Sequence, residues 1–522
     1  MAILHALLAL MAACVVFALL ARRTQLPYPV VLVLGGMALA LIPGMPEIEL
    51  DPQFAMAFFL PPLLQVSAIR TDWTAFKGNI RPILLLAVGA VLFTALCVGA
   101  AMKLLIPDFP WAAAIAFGAI VAPPDAVAAA AVLRKLRLPP RIVAVLEGES
   151  LINDATSLVL YRFAVVATMA GTFSWSEAGE TFLAVSIGGA AIGWVIGRAT
   201  IWASARLHDT LLETAASFIA CYAAFFAAEA LHLSGVIAVV VTGLVLGRAQ
   251  HRLSANTRSQ SRAVWTFIEF VLNSLVFILI GLQLNVILDR LDDYPSWHLA
   301  LLAVAVSLVL IVSRFVWLFP ASWLPRQIPS VRRHDPMPPW GHITVLSWAG
   351  MRGVVSLAAA LALPVTFPER DLLIFLSFCA ILATLVVQGT SLEWVIRRLG
   401  VEEPRRANMS VEEAAARTLI AHAALRSIER RAEDVLDGAI AQDLLTEYRD
   451  RVRLLDGVNQ GPIAAERASR LEHRLHALRA GRDRLLRHRR EDGLDEHLMN
   501  RLVDELDLEE LRLRRLLGAA DG

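Results

Sequence analysis

The sequence predicts an all-α protein that crosses a membrane many times and ends in a helical, highly charged tail. Three observations predict it. The 522-residue chain is 57% hydrophobic and only 18% charged, whereas soluble domains run about 45–50% apolar and about 25% charged. Apolar runs of spanning length recur through the first 400 residues. Charge is also crowded into one end: residues 401–522 hold 22 Arg and 25 Asp/Glu, close to half of all the charged residues in under a quarter of the length. The chain therefore divides near Gly400 into a transmembrane domain, 1–400, and a charged helical C-terminal domain, 401–522. The apolar excess makes the lipid bilayer the surrounding partner, and a net charge of +1 gives no reason to expect an acidic partner or nucleic acid.

Runs long enough to cross about 30 Å of hydrocarbon lie at 2–21, 27–43, 53–69, 82–106, 110–133, 142–169, 179–205, 211–231, 234–248, 263–288, 298–320, 339–363 and 371–396. That makes about 13 transmembrane helices. The first is read as a span and not as a signal peptide, because its basic pair, Arg22 and Arg23, follows the apolar run instead of preceding it. The loops check the count. Alternate loops, starting with the one at Arg22, carry 18 Lys and Arg in total, and the others carry 3. Basic residues collect on the cytoplasmic side, and a miscount by one span would scramble the alternation. The N-terminus is thus expected outside and the tail in the cytoplasm. Cys14, Cys97, Cys221 and Cys379 sit far apart in apolar runs without a CxxC spacing, so they read as small buried hydrophobes.

Two spans are interrupted. The fifth contains Ala122-Pro123-Pro124-Asp125, where two prolines remove backbone donors and break the helix. The twelfth contains Gly350-Met351-Arg352-Gly353, a charge flanked by glycines. The two breaks occupy corresponding places in the two halves of the membrane domain. Paired broken helices of this kind point to inverted repeats, two crossing interrupted helices and a site near the bilayer midplane.

The sixth span carries Glu147, Glu149 and Asp154. A charge at bilayer depth costs at least about 2.5–3.5 kcal/mol, so three in eight positions need a use. At 100° per residue, Glu147, Ser150 and Asp154 share one face, while Glu149 and Asn153 share another. The first face offers a carboxylate and a hydroxyl to an ion, and Asp125 is a natural further group. Such oxygens suit a hard cation. Burial favours neutralisation of a carboxylate by a proton or by a cation, and the two compete; Asp154 is the residue expected to hold them in turn. A buried guanidinium needs a carboxylate, so Arg352 is expected to pair with Glu149. Glu147 is expected near the cytoplasmic mouth, as an ion funnel or a solvated end.

Weaker signals complete the membrane domain. Arg162, Glu229, Glu269 and Arg314 read as helix-end or inter-helix pairs, and Asn273 and Gln283 as inter-helix hydrogen bonds. His5, His208, His232, His298 and His342 read as interface residues. In the tail, leucines at three- and four-residue spacing over 471–478 and 502–517 predict packed helices, with a turn from Gly457 to Pro462. Whether the tail binds a regulator is left open by its sequence.

With these residues in place, the chain resembles the monovalent cation:proton antiporters of the branch containing bacterial NhaP-type proteins and animal sodium/proton exchangers. Gly148-Glu149-Ser150-Leu151-Ile152-Asn153-Asp154 is similar to that family's ion-site helix. The segment from Pro124 resembles its broken helix, Phe59-Leu60-Pro61-Pro62-Leu63-Leu64 its Leu-Pro-Pro motif, and Gly350–Gly353 its arginine helix. The resemblance covers roughly 1–400. It implies Na+ and H+ binding at Asp154 with Ser150 and Asp125 around the ion, Glu149 paired with Arg352, and Asn153 bracing the unwound segment. It further implies a homodimer in the bacterial cytoplasmic membrane, elevator-type movement, no cofactor beyond the transported ions, and, from Asn before the key Asp, electroneutral exchange of one cation for one proton. Two positions depart from the pattern. Pro124 stands where many relatives have Thr, so only its carbonyl can serve an ion. Gln65-Val66 replaces an aromatic-acidic pair. Potassium or lithium in place of sodium uses the same residues. A cation channel is a remoter alternative, with no filter-like repeat to support it. The chain has no HExxH, no GxSxG and no Cys/His cluster of an intramembrane enzyme.

Overall fold

The computed structural model describes residues 2–24, 26–42, 52–133, 136, 138–170, 175–207, 209–288, 291, 294–402, 411–432, 444–446, 448–449, 452, 469–481, 483–485, 502 and 505–514. The chain divides into two compact units, Met1–Glu403 and Pro404–Gly522. Among the described residues the regular structure is all helical.

In the first unit the helices are α1 (Ala2–Thr24), α2 (Tyr28–Ala40), α3 (Pro52–Arg70), α4 (Trp73–Gly78), α5 (Ile80–Leu84), α6 (Val91–Leu105), α7 (Trp111–Val121), α8 (Ala126–Leu133), α9 (Pro140–Ala170), α10 (Trp175–Leu207), α11 (Thr210–Ala230), α12 (Gly235–Ala249), α13 (Ala255–Leu288), α14 (Ser296–Trp323), α15 (Pro329–His334), α16 (Trp340–Trp348), α17 (Val354–Leu361), α18 (Arg370–Ala383) and α19 (Gly389–Arg398). Wide π turns at Leu85–Ala90 and Thr384–Gln388 join α5 to α6 and α18 to α19. Among the described residues the apolar runs read from the sequence fall on helices, the two interrupted runs, 110–133 and 339–363, on two helices each. Seven helices among the described residues are long and apolar enough to cross a membrane, and four more are shorter. The figure of thirteen crossings rests on the alternation of loop charge, since helix length alone does not reach it.

Local chemistry sets where helices begin. Asp72 and Asp209 accept hydrogen bonds from the first free backbone donors of α4 and α11, and Ser234 does so for α12; these are N-caps. Prolines at 110, 295 and 339 stand immediately before α7, α14 and α16, where their fixed φ suits entry to a helix.

Packing separates the membrane unit into two groups. α2 lies along α13, α3 against α12, and α10 against α11 and α12; α6, α7, α9 and α14 form a second set, with α17 and α18 joined to it. Where lipid replaces water, helices associate through close backbone approach. Gly36 and Gly281 show this: a Cβ on Gly36 would stand 2.4 Å from the Ile278 carbonyl oxygen, and one on Gly281 would stand 2.3 Å from that of Val33. The four cysteines are free thiols; Cys14 and Cys221 are buried, while Cys97 and Cys379 are partly exposed.

The inter-helix pairs expected from sequence take definite partners. Arg162 meets Glu229 at 2.9 Å and Arg70 meets Glu269 at 2.5 Å. Outside the apolar runs, Asp335 draws in Arg141 and Arg326, the latter at 2.5 Å, with Arg81 at 4.0 Å. This hub ties the starts of α5 and α9 to the segment between α14 and α16. The side chain of His5 and all of His208 lie outside the described residues, as does the turn expected at 457–462.

In the second unit, α20 (Val411–Ala432) is followed by helical segments at 469–481 and 505–514. Leu471, Leu475 and Leu478 pack with Leu513 and Leu506, as their spacing predicts.

Burial raises the carboxyl pKa of Asp335, but hydrogen bonds and charge from Arg326 and Arg141 outweigh it and hold the group below its ordinary 3.8. A carboxylate whose folded pKa is depressed stabilises the protein above its unfolded value, and that contribution fades as pH falls through the folded value. Asp335→Asn is therefore expected to lower the thermal midpoint at pH 7. The gap to wild type should close as pH drops below about 4, measured by thermal unfolding of purified protein across pH.

Candidate ion-binding site

The two interrupted helices meet at their breaks. The Asp125 amide donates to the Met351 carbonyl at 2.7 Å, and the Arg352 side chain donates to the Ala122 carbonyl at the end of α7. The Arg352 amide donates to Thr384 Oγ1 at 3.0 Å, so one π turn also reaches the crossing. Helix ends leave backbone groups unpaired and carry partial charge, positive at the N-terminus and negative at the C-terminus. Four such ends are buried here.

Each kind of end receives a side chain of opposite sign. Arg352, 1% exposed, serves the C-terminus of α7. Arg314 on α14, 2% exposed, donates to the Leu346 carbonyl in the last turn of α16 at 3.0 Å. Asp125 directly precedes α8, and its carboxylate packs on Gly353, the residue before α17. A Cβ at Gly353 would stand 1.9 Å from Asp125 Oδ2, so that approach needs glycine. Gly350 does the same for the other charge: a Cβ there would stand 2.4 Å from Arg314 Cδ.

The expected partnership of Glu149 is corrected. Glu149, 1% exposed, pairs with Arg314 through two hydrogen bonds, Nη1 to Oε1 at 2.6 Å and Nη2 to Oε2 at 3.1 Å. Arg352 forms no ion pair with it. The two-pronged geometry is the one in which a guanidinium and a carboxylate bind best. The inter-helix pair expected of Arg314 is thus present; its partner was not legible, because Arg314 lies in a span with no break to tie it to the site. Its reach across to α9 depends on Gly350.

The two faces of α9 separate as their spacing predicts. Glu149 and Asn153 are buried on one side, and Asn153 Nδ2 donates to the Pro124 carbonyl at 2.9 Å. That bond links α9 to the unwound segment and engages the one ion-facing group Pro124 has. Ser150 and Asp154 face a cavity of about 70 Å³ together with Asp125, Pro124 and Gly353. Leu60, Leu63 and Leu64 of the proline-containing α3 form its apolar wall. Glu147 is exposed, one turn or more before these groups.

Asp154 differs from the other charged groups. It is 7% exposed, and it has no ion-pair partner among the described residues. Two further polar groups belong to this wall: Asn273, read from sequence as an inter-helix hydrogen bond, and Ser356, which the sequence did not mark. Asn273 Nδ2 and Ser356 Oγ have no hydrogen-bond partner. An unpartnered buried polar atom is costly, and one facing a cavity invites a water or an ion. Gln65 is fully buried beside this wall; its Nε2 donates to the Ser217 carbonyl at 2.6 Å, while its Oε1 has no hydrogen-bond partner.

The pairing predicts a coupling. Glu149→Ala and Arg314→Ala should each cost on the order of 3–5 kcal/mol by stranding a buried charge, and the double variant should cost clearly less than their sum. The coupling between Glu149→Ala and Arg352→Ala should be clearly smaller than that between Glu149→Ala and Arg314→Ala. Thermal unfolding of the single and double variants checks this, and a strong coupling to Arg352 with none to Arg314 contradicts it.

The chain is similar to known sodium/hydrogen exchangers. The family model for the transmembrane sodium/hydrogen exchanger matches residues 7–398. An uncharacterized Na+/H+ exchanger of Mycobacterium tuberculosis is 34% identical over 97% of this chain and 95% of its own length. The Na+/H+ antiporter ApNhaP of Aphanothece halophytica is 32% identical over 75% of this chain and 73% of its own. A sodium, potassium, lithium and rubidium/H+ antiporter of Bacillus pumilus is 29% identical over 90% of this chain and 72% of its own. Among solved structures, the sodium proton antiporter MjNhaP1 of Methanocaldococcus jannaschii at pH 8 superposes with a TM-score of 0.60 at 18% identity, over 77% of this chain and all of that one; it shares the fold. With the crossed broken helices and the match through nearly all of the membrane unit, the chain belongs to the sodium/hydrogen exchanger family.

Proposed function

We propose that the protein is a secondary active antiporter that exchanges Na+ for H+, one for one, by competition at Asp154. The observation that carries this reading is a nearly buried carboxylate in a small polar cavity, left without a counter-charge while the arginines around it are engaged elsewhere. Either a proton or a cation neutralises such a group, and each excludes the other. Asp125 and Ser150 complete the oxygen set around the cation, with Asn273 and Ser356 as further candidates. Asn153 holds the Pro124 segment in place, and the Glu149–Arg314 pair keeps α9 and α14 in register. Glu147 lies towards the cytoplasmic mouth.

Exchange needs alternating access, which broken-helix transporters achieve by moving one repeat or bundle against another around the site. The division of the membrane unit into two packed groups supports an elevator-type movement of this kind. The same reading places the protein as a homodimer in the bacterial cytoplasmic membrane, with its N-terminus outside and its tail in the cytoplasm. Potassium as a further or alternative substrate is favoured by one observation: the Bacillus pumilus relative carries sodium, potassium, lithium and rubidium in its name.

Proton flux in proteoliposomes tests the proposal. Addition of Na+ is expected to drive proton movement that does not depend on a clamped membrane voltage. Asp154→Asn should abolish it while the variant still folds and assembles as wild type. Asp125→Asn should reduce transport by at least about tenfold, the scale of one lost charged ligand. A response to K+ alone keeps the mechanism and changes the substrate. Voltage-dependent exchange overturns the one-for-one stoichiometry, and normal transport by Asp154→Asn overturns the site.

A further inference from the structure

A second cavity, about 950 Å³, lies among α3, α10, α11, α12 and α13 and shares no lining residue with the one at Asp154. It opens at the ends of these helices that the loop charges assign to the cytoplasm. Three arginines line it, Arg70, Arg258 and Arg262, against one carboxylate, Glu213. Arg70 is already satisfied by Glu269 at 2.5 Å and Thr266 Oγ1 at 2.9 Å. Arg258 donates only to a backbone carbonyl, that of Leu253, at 2.7 Å. Neither Arg258 nor Arg262 forms an ion pair among the described residues. The cavity thus keeps two guanidinium groups and one partly buried acid in its lining.

The rest of the lining has the same character. Ser204, Thr210, Ser217, Ser254 and Ser261 bring hydroxyl groups to it. The first turns of α11 and α13 start at its edge, capped by the Asp209 carboxylate and the Ser254 hydroxyl. Val66, Ile69, Ile201 and Leu246 supply an apolar side. This sign of charge repels a cation, so the space is no branch of the cation route. Guanidinium forks with neighbouring hydroxyls are the donors that suit phosphate oxygens, and the volume suits a small organic ligand.

We propose that this cavity binds a phosphate-bearing anion from the cytoplasmic side, with Arg258 and Arg262 as its charged donors. A phosphate ester has two possible sources here, the headgroup of an anionic phospholipid or a soluble metabolite.

Purified full-length protein separates them. The thermal midpoint is followed while dioleoyl phosphatidylglycerol or glycerol 3-phosphate is added, with dioleoyl phosphatidylcholine, whose phosphate is offset by its own ammonium, as the control. A saturable rise with phosphatidylglycerol alone identifies the lipid headgroup, and a rise with glycerol 3-phosphate identifies a soluble ester. In either case R258Q/R262Q should need at least about tenfold more ligand, as expected for lost charge-assisted donors. E213Q, which removes the opposing charge, should need less. R332Q/R333Q, changing exposed arginines elsewhere on the cytoplasmic side, should match wild type. No saturable effect of either probe, or an unchanged response in R258Q/R262Q, overturns the proposal. If that double variant fails to fold, E213Q decides: binding no tighter than wild type overturns it.

Discussion

Burying four helix ends at one crossing is the constraint from which the rest of the membrane unit follows. A broken helix inside a bilayer exposes backbone donors and acceptors with no water to satisfy them. Here the two positive ends share one carboxylate, Asp125, and the two negative ends take a guanidinium each, from Arg352 and Arg314. Arg314 then has charge to spare, and Glu149 absorbs it. Once these groups are matched, Asp154 is left as the carboxylate whose neutralisation must come from outside the protein. On this account the exchange chemistry follows from the way the crossing is stabilised.

The glycines around Arg352 show how closely architecture and site are joined. In the sequence Gly350 and Gly353 mark a break in the twelfth span. In the structure each makes room for a charged side chain from another helix, Arg314 in one case and Asp125 in the other. A methyl group at either position would displace a group that stabilises a helix end. The Asn153 bond to Pro124 acts in the same way, tying α9 to the unwound segment. Changes at these positions should therefore disturb stability and transport together, whereas a change at Asp154 should be felt mainly in transport.

Much of this could be read from the sequence because its causes are local. The prolines at 123 and 124 and the glycines at 350 and 353 break helices wherever they stand. Apolar runs and loop charges report the membrane directly. The spacing of Glu149, Ser150, Asn153 and Asp154 sorts them onto two faces of α9 without any knowledge of what those faces meet. What the sequence left open was which residues distant in the chain come together. Arg314 lies 165 residues from Glu149 in a span without a break, so Arg352, set in a broken helix, is the arginine the sequence favours. Asn273 and Ser356 carry no periodic signal, and only the folded chain turns them towards the cavity at Asp154. The Asp335 hub gathers arginines from three loops, each of which looked like ordinary cytoplasmic charge.

The most direct test of the central claim is proton release on cation binding by purified protein in weakly buffered solution with a pH indicator. If Asp154 holds a proton or a cation but not both, Na+ should release about one proton for each ion bound, and Asp154→Asn should release none. Sodium binding without proton release, or an undiminished release in that variant, would contradict the account.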